Sequence, residues 1–276
     1  CMSDYMLLHK GYVHEYVFSS KRPRGDVAVI TRYQNSYGNG ASYLSYSTLD
    51  DASNLISLEL QQTLSNEAGH TAAKKYRVAL FGINSGSWLA AALGVSKAGF
   101  VLVPMNLRWS AAEAATALQD SGAVLAMYDD QGLGNSLFHA AQTLMPEIVL
   151  RLSMALPSAA VDLQTWRPHA QLTPDRSPFP NATLGVGEQE DPPSEVFTFL
   201  YTSGTTGKPK GVMHGHRSHI CQARAKLSVE ANLYGSDTAL LCPAPLYHVG
   251  GLSSCLAVLF AGGTLVFPLS SSSSSS

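Results

Sequence analysis

The sequence predicts an α/β fold with mostly parallel sheets flanked by helices. Three observations carry that expectation. First, "RVALFGI" reads as a buried strand, "SGSWLAAALGVSKAG" as a helix with a glycine stop, and "FVLVPMN" as the next strand. Second, the alternation continues. Ser110 precedes Glu113 at capping-box spacing, opening the helix "AAEAATALQDSG", and "AVLAMYDD" follows as a strand. Such alternation implies right-handed crossovers with helices on the sheet faces. Third, hydrophobic residues make up 45% of the 276 and charged residues only 14%, against roughly 25% charged in an average soluble domain. Much of the chain is therefore expected to lie inside a packed body.

The remaining elements follow in order. "YLSYSTLDDASNLISLELQQTL" reads as a short strand feeding a helix, with Leu49, Ala52, Ile56, Leu60 and Leu64 on its apolar face for core packing. Between 129 and 195 proline and polar residues dominate without a steady period, and one strand is expected at "EIVLRLS". "VFTFLY" is β-branched and aromatic, hence a strand. "HRSHICQARAKL" has helical spacing through Ile220, Ala223 and Leu227. "LFAGGTLVFP" closes another strand, and the serine run from Ser270 to Ser276 lacks the apolar area to order itself.

Composition also excludes classes of function. A net charge of -2 lacks the basic footprint of a protein that holds nucleic acid through phosphates. Cys1, Cys221, Cys242 and Cys255 form no CxxC pair and are too sparse for a secreted disulfide scaffold, which fits a reduced compartment. Asn181-Ala182-Thr183 matches a glycosylation triplet and is read as a surface loop. No apolar run reaches the ~20 residues needed to span a bilayer, and the start has no signal-peptide layout. An intracellular location is expected, in the cytoplasm or an organelle such as a plastid or peroxisome. The chain opens on Cys1 rather than methionine.

The chemistry concentrates in "YTSGTTGKPKG", from Tyr201 to Gly211. Glycines let successive N–H groups converge on an anion, hydroxyls add donors and lysines add mobile charge, so the stretch specifies a polyphosphate. It is not a P-loop. Counting back from Gly207-Lys208, the required first glycine falls on Thr202, and Pro209 stands where a serine or threonine would meet Mg²⁺. His214, His216 and His219 form an H-x-H-x-x-H array that could be read as a metal site. The glycines at 250, 251, 262 and 263 suit a helix start and a strand turn, since no G-x-G-x-x-G is present.

"YTSGTTGKPKG" resembles the signature loop of the adenylate-forming superfamily, which includes acyl-CoA synthetases. "SKAGFVLVPMNLRWS" is similar to its second core motif and "CPAPLYHVGGLSS" to its fourth, in family order, and the resemblance covers most of 43–268. It implies an incomplete N-terminal AMP-binding domain over 1–268, with a variable excursion at 129–195 and a disordered tail at 269–276. The acidic motif, the ribose aspartate and the C-terminal domain of the family do not appear in this stretch. The resemblance also implies ATP, Mg²⁺ and coenzyme A as reactants and a small carboxylic acid as substrate. Thr202, Ser203, Gly204, Thr205, Thr206, Gly207 and Lys208 would wrap the phosphates, Lys210 would neutralise charge on pyrophosphate, and His248 would lie near the carboxylate. One of the three clustered histidines is expected to orient the loop, with no metal. The wording of "PMNLRWS" and "PLYHVGGLSS" is more similar to o-succinylbenzoate-CoA ligases, with fatty, malonyl or aromatic acids as alternatives. The stretch is expected not to turn over alone, and a non-catalytic nucleotide-binding or interaction module is the alternative function.

Overall fold

The computed structural model describes residues 11–18, 26–35, 38–67, 76–129, 132–144, 152–156, 168, 170–172, 196–202, 209–229 and 233–268. Parallel strands alternate with helices through the middle of the chain: β3 (Arg77–Phe81), α3 (Gly86–Lys97), β4 (Val101–Pro104), α4 (Ala111–Ser121), β5 (Leu125–Asp129), α5 (Leu133–Leu144) and β6 (Leu152–Leu156). Ahead of them stand α1 (Val13–Val17), β1 (Val27–Asn35), β2 (Gly38–Ser45) and α2 (Tyr46–Glu67). After them come β7 (Ala170–Leu172), β8 (Val196–Thr202), β9 (Lys210–Gly215), α6 (His216–Val229), β10 (Ala239–Leu241), α7 (Val249–Ala261) and β11 (Thr264–Phe267).

These strands build two sheets. The larger has the order β7-β6-β5-β3-β4-β8-β9, parallel except for its outermost strands β7 and β9, and the smaller has the order β10-β11-β1-β2. In the larger sheet the chain runs from β3 to β4 on one side, then back across to β5 on the other. Right-handed crossovers in opposite directions place α3 and α4 on opposite faces. Burial agrees. Val78 and Leu80 of β3 pack with Trp88 and Leu89 of α3, while Ala79 and Phe81 pack with Ala117 and Leu118 of α4. Every residue from Gly86 to Ser96 is buried, because α3 lies between the larger sheet and the smaller one, whose Val29, Leu265 and Phe267 join the same core. Tyr46 ties the layers together by donating to the Gly263 carbonyl at 2.7 Å.

Several expectations are met in detail. The Ser110 hydroxyl accepts from the Glu113 N–H at 3.3 Å and the Glu113 carboxylate accepts from the Ser110 N–H at 2.8 Å, a reciprocal cap. The Ser110 N–H, with the Ser110 hydroxyl donating to the same carboxylate at 2.9 Å, holds Glu113 below the usual carboxylate pKa. Leu49, Ala52, Ile56 and Leu60 are buried on α2; the side chain of Leu64 lies outside the described residues. One expectation needs correction: the stretch from 129 to 195 holds α5 and β7 as well as a strand at β6, which begins at Leu152 where "EIVLRLS" ends. The helix read from His216 is met, and the residues ahead of it, from Lys210, pair as β9, an element the sequence did not announce. A β1–β2 hairpin also extends the single short strand expected ahead of α2. Among the described residues, no helix is long and apolar enough to cross a membrane. Asn181 and the serine tail lie outside the described residues.

Candidate functional site

The register of the larger sheet places Thr202, the last described residue before the loop. Val78 pairs with Leu102 and Leu102 with Thr198, so four residues further on Thr202 stands level with Gly82, two strands away or about 10 Å. Both lie at the carboxyl ends of parallel strands, beside the point where α3 and α4 depart to opposite faces. Ligands of open α/β sheets bind in such a crevice.

Thr202 and Lys210 close the base of the loop as a strand pair of β8 and β9, and the Thr202 hydroxyl donates to the Lys210 carbonyl at 3.4 Å. Both residues are exposed. Ser203, Gly204, Thr205, Thr206, Gly207 and Lys208 lie outside the described residues. The base is anchored by its neighbours. Tyr201 donates its hydroxyl to the Asp120 carboxylate at 2.7 Å and the Ala117 carbonyl at 2.9 Å on α4, and its ring meets Trp109 edge-on. Burial, reinforced by the Asp120 bond, pushes its phenol far above the usual tyrosine pKa, so it stays a neutral donor. Gly211 is required for a separate reason: a Cβ there would lie 2.0 Å from the Phe199 ring.

The segment 242–248, which carries His248, meets the turn after β3 through Asn84. Cys242 ends the pairing with β11 by donating its N–H to the Val266 carbonyl at 2.8 Å. His248 is the N-cap residue of α7 and its carbonyl accepts from the Leu252 N–H at 3.0 Å. Its exposed imidazole makes no capping bond and leans against the Tyr247 ring, with centroids 4.8 Å apart. Burial raises the Tyr247 phenol pKa while the charge of Arg108, from the turn after β4, opposes the rise. The turn after β4 thus faces the same segment. A Cβ on Gly251 would lie 2.3 Å from the Pro245 carbonyl oxygen, so the glycine lets α7 begin directly behind the segment.

Sequence reasoning missed Asn84, in the turn between β3 and α3. Its amide donates to the Ala244 carbonyl at 2.7 Å and its oxygen accepts from the Leu246 N–H at 3.0 Å. A lone asparagine before a helix reads as an ordinary turn residue, and the lack of N–H groups at Pro243 and Pro245 was the only hint that the segment needs an outside partner.

The histidine array serves packing. His216 accepts from the Val13 N–H at 3.2 Å through Nδ1 and stacks on Phe197. His219 bonds Thr198 through Nε2 at 2.8 Å, and burial, helped by His214, drives its pKa down to about 4. Its Thr198 partner sits within β8, away from the loop. Among the described residues, no group of three or more His, Cys, Asp or Glu side chains is placed to hold a metal ion.

Comparison with known proteins extends the local picture. Residues 18–275 match the family described as AMP-binding enzyme. The chain is 30% identical over 237 residues to the 2-succinylbenzoate–CoA ligase, chloroplastic/peroxisomal, of Arabidopsis thaliana, covering 85% of this chain and 39% of that protein. It is 32% identical over 200 residues to the long-chain-fatty-acid–CoA ligase FadD13 of Mycobacterium tuberculosis, covering 70% of this chain and 35% of that one. The chain thus spans well under half the length of these relatives. Among solved structures, the N-terminal domain of FACL13 from Mycobacterium tuberculosis superposes with a TM-score of 0.66 at 23% identity, covering 94% of this chain and 57% of that one. ATP-bound MatB from Rhodopseudomonas palustris gives 0.63 at 20% identity, covering 93% and 45%. The likeness in fold meets the expectation of an adenylate-forming N-terminal domain.

Proposed function

Because the chain belongs to the family of AMP-binding enzymes, we propose that it forms the nucleotide- and acid-binding part of an acid–thiol ligase. In the first step a carboxylate oxygen bonds to the α-phosphorus of ATP, the bond to the bridging oxygen of the β-phosphate breaks, and pyrophosphate leaves. In the second, the sulfur of coenzyme A bonds to the acyl carbon and AMP leaves with the former carboxylate oxygen. Activation is needed because a free carboxylate is a poor electrophile.

The observation that carries this reading is the placement of the Thr202–Lys210 pair at the carboxyl edge of the parallel sheet, level with Gly82, while the segment bearing His248 bonds to Asn84 in the turn just after Gly82. In this reading the hydroxyls and N–H groups of Thr202, Ser203, Gly204, Thr205, Thr206 and Gly207 wrap the β- and γ-phosphates. Lys208 and Lys210 neutralise the charge that grows on pyrophosphate as it departs. His248, its imidazole uncommitted to the helix cap, contacts the carboxylate substrate. Mg²⁺ enters with the nucleotide as a charge-neutralising ion. The similarity to the Arabidopsis relative supports o-succinylbenzoate as one acid, and fatty, malonyl and aromatic acids are the alternatives, two of these classes named in relatives of similar identity.

The test is carboxylate-dependent exchange of labelled pyrophosphate into ATP. It uses the longest natural protein that contains this sequence and a panel of o-succinylbenzoate, ferulate, malonate and fatty acids. Exchange is expected with one acid class and none without acid. Nucleotide binding without exchange on any acid would contradict the ligase and favour a non-catalytic nucleotide-binding module.

A further inference from the structure

We propose that Asn84 is a positioning residue that holds the 242–248 segment in place and thereby sets His248 against the carboxylate. The proposal rests on the ligase reading for what His248 does, and on geometry alone for what Asn84 does.

The segment cannot pair as a strand. Pro243 and Pro245 have no N–H to donate, so after Cys242 the next backbone donors are Ala244 and Leu246. A carboxamide side chain offers what a neighbouring strand would: a donor and an acceptor side by side. Asn84 uses both. Its Nδ2 donates to the Ala244 carbonyl at 2.7 Å and lies 3.5 Å from the Cys242 carbonyl, while Oδ1 accepts from the Leu246 N–H at 3.0 Å. One side chain of the larger sheet thus stands in for a strand beside a segment that belongs to the smaller sheet.

Asn84 is itself presented from a fixed turn. The Ile83 N–H donates to the buried Asp129 carboxylate at 3.0 Å, the Gly86 N–H to the Thr31 hydroxyl at 3.1 Å, and the Trp88 N–H to the Ser85 hydroxyl at 3.1 Å. These bonds come from β5, from β1 and from the α3 cap. Beyond Asn84 the coupling to His248 is short. Leu246 is fully buried, the His248 N–H donates to the Pro245 carbonyl at 3.2 Å, and Gly251 packs on that same carbonyl. The segment between Ala244 and His248 therefore has little freedom to shift without moving the imidazole.

The test compares Asn84→Ala and Asn84→Asp with the parent in the longest natural protein containing this sequence, with two readouts. Hydrogen exchange of the Leu246 amide reports the clamp without reference to activity. It should accelerate roughly tenfold or more in Asn84→Ala, the effect of one lost neutral hydrogen bond, and stay closer to the parent in Asn84→Asp, which keeps the acceptor. In pyrophosphate exchange, both variants should raise the KM for the acid roughly tenfold and leave the KM for ATP within about twofold, because both lose the donor to Ala244. Parent-like Leu246 exchange in Asn84→Ala overturns the proposal. So does an unchanged acid KM accompanied by a lower unfolding midpoint, the mark of a residue that serves stability alone. If the parent protein shows no acid-dependent exchange, the ligase reading fails by itself, and the Leu246 amide still decides whether Asn84 holds the segment.

Discussion

The two sides of the crevice are built in opposite ways. The side proposed to hold phosphates is a hairpin at the exposed edge of the larger sheet, where Thr202 pairs with Lys210 and support comes from below through Tyr201, Asp120 and Gly211. The side proposed to meet the acid is a proline-broken segment held by Asn84 and by the buried Leu246 and Cys242. Cys242 also accepts from the Cys255 thiol of α7, with the sulfurs 3.4 Å apart and both unoxidised. One region is thus held by regular strand pairing at an edge, and the other, where proline removes the N–H groups that pairing needs, is held by a side chain from elsewhere in the chain.

Gly251→Ala should break the acid side most severely. Its methyl group would lie 2.3 Å from a backbone oxygen, and backbone atoms on a buried helix yield poorly, so a loss of about 3 kcal/mol is expected in chemical unfolding. The loss should be accompanied by weaker acid binding. Tyr201→Phe probes the phosphate side. It removes a hydroxyl bonded to a carboxylate and a carbonyl, and the unfolding free energy should fall by about 2 kcal/mol. The ATP-dependent kinetics should change while the acid KM is kept.

A smaller effect comes from the packing beneath the hairpin. His219 has a folded-state pKa of about 4, below the ordinary 6.5, so the unfolded chain takes up its proton first as the pH falls. Its contribution is present in full above pH 6.5 and is lost as the pH drops from 6.5 through about 4. Urea midpoints measured across that window should decline with acid, and His219→Gln should flatten the decline. A slope identical to the parent's would remove His219 from the acid response.

Legibility in the sequence followed the same division. Most of the parallel sheet was readable because β3, β4 and β5 are apolar runs of the right length and the helices between them carry a stop or a cap, as Ser110 and Glu113 do for α4. The family was readable because "YTSGTTGKPKG" is long and distinctive. β9 was not, since its residues are mostly exposed or half-buried on an edge strand and show no alternation. α5 was hidden by Gly134, Asn135 and Ser136, which weaken its pattern. A Cβ at Gly134 would lie 2.4 Å from the Phe81 carbonyl oxygen, so close packing on β3 explains the glycine. The Asn84 clamp joins residues 160 positions apart, and no local pattern announces such a bond.

The most direct test of the division is a kinetic matrix of pyrophosphate exchange, varying ATP and acid independently in Lys210→Ala and His248→Ala. Lys210→Ala should lower the exchange rate roughly a hundredfold or more, the scale of losing one charge-stabilising group, with the acid KM little changed. His248→Ala should act chiefly on the acid KM and spare the KM for ATP. Wild-type exchange in Lys210→Ala, or a His248→Ala defect confined to ATP, would contradict the division.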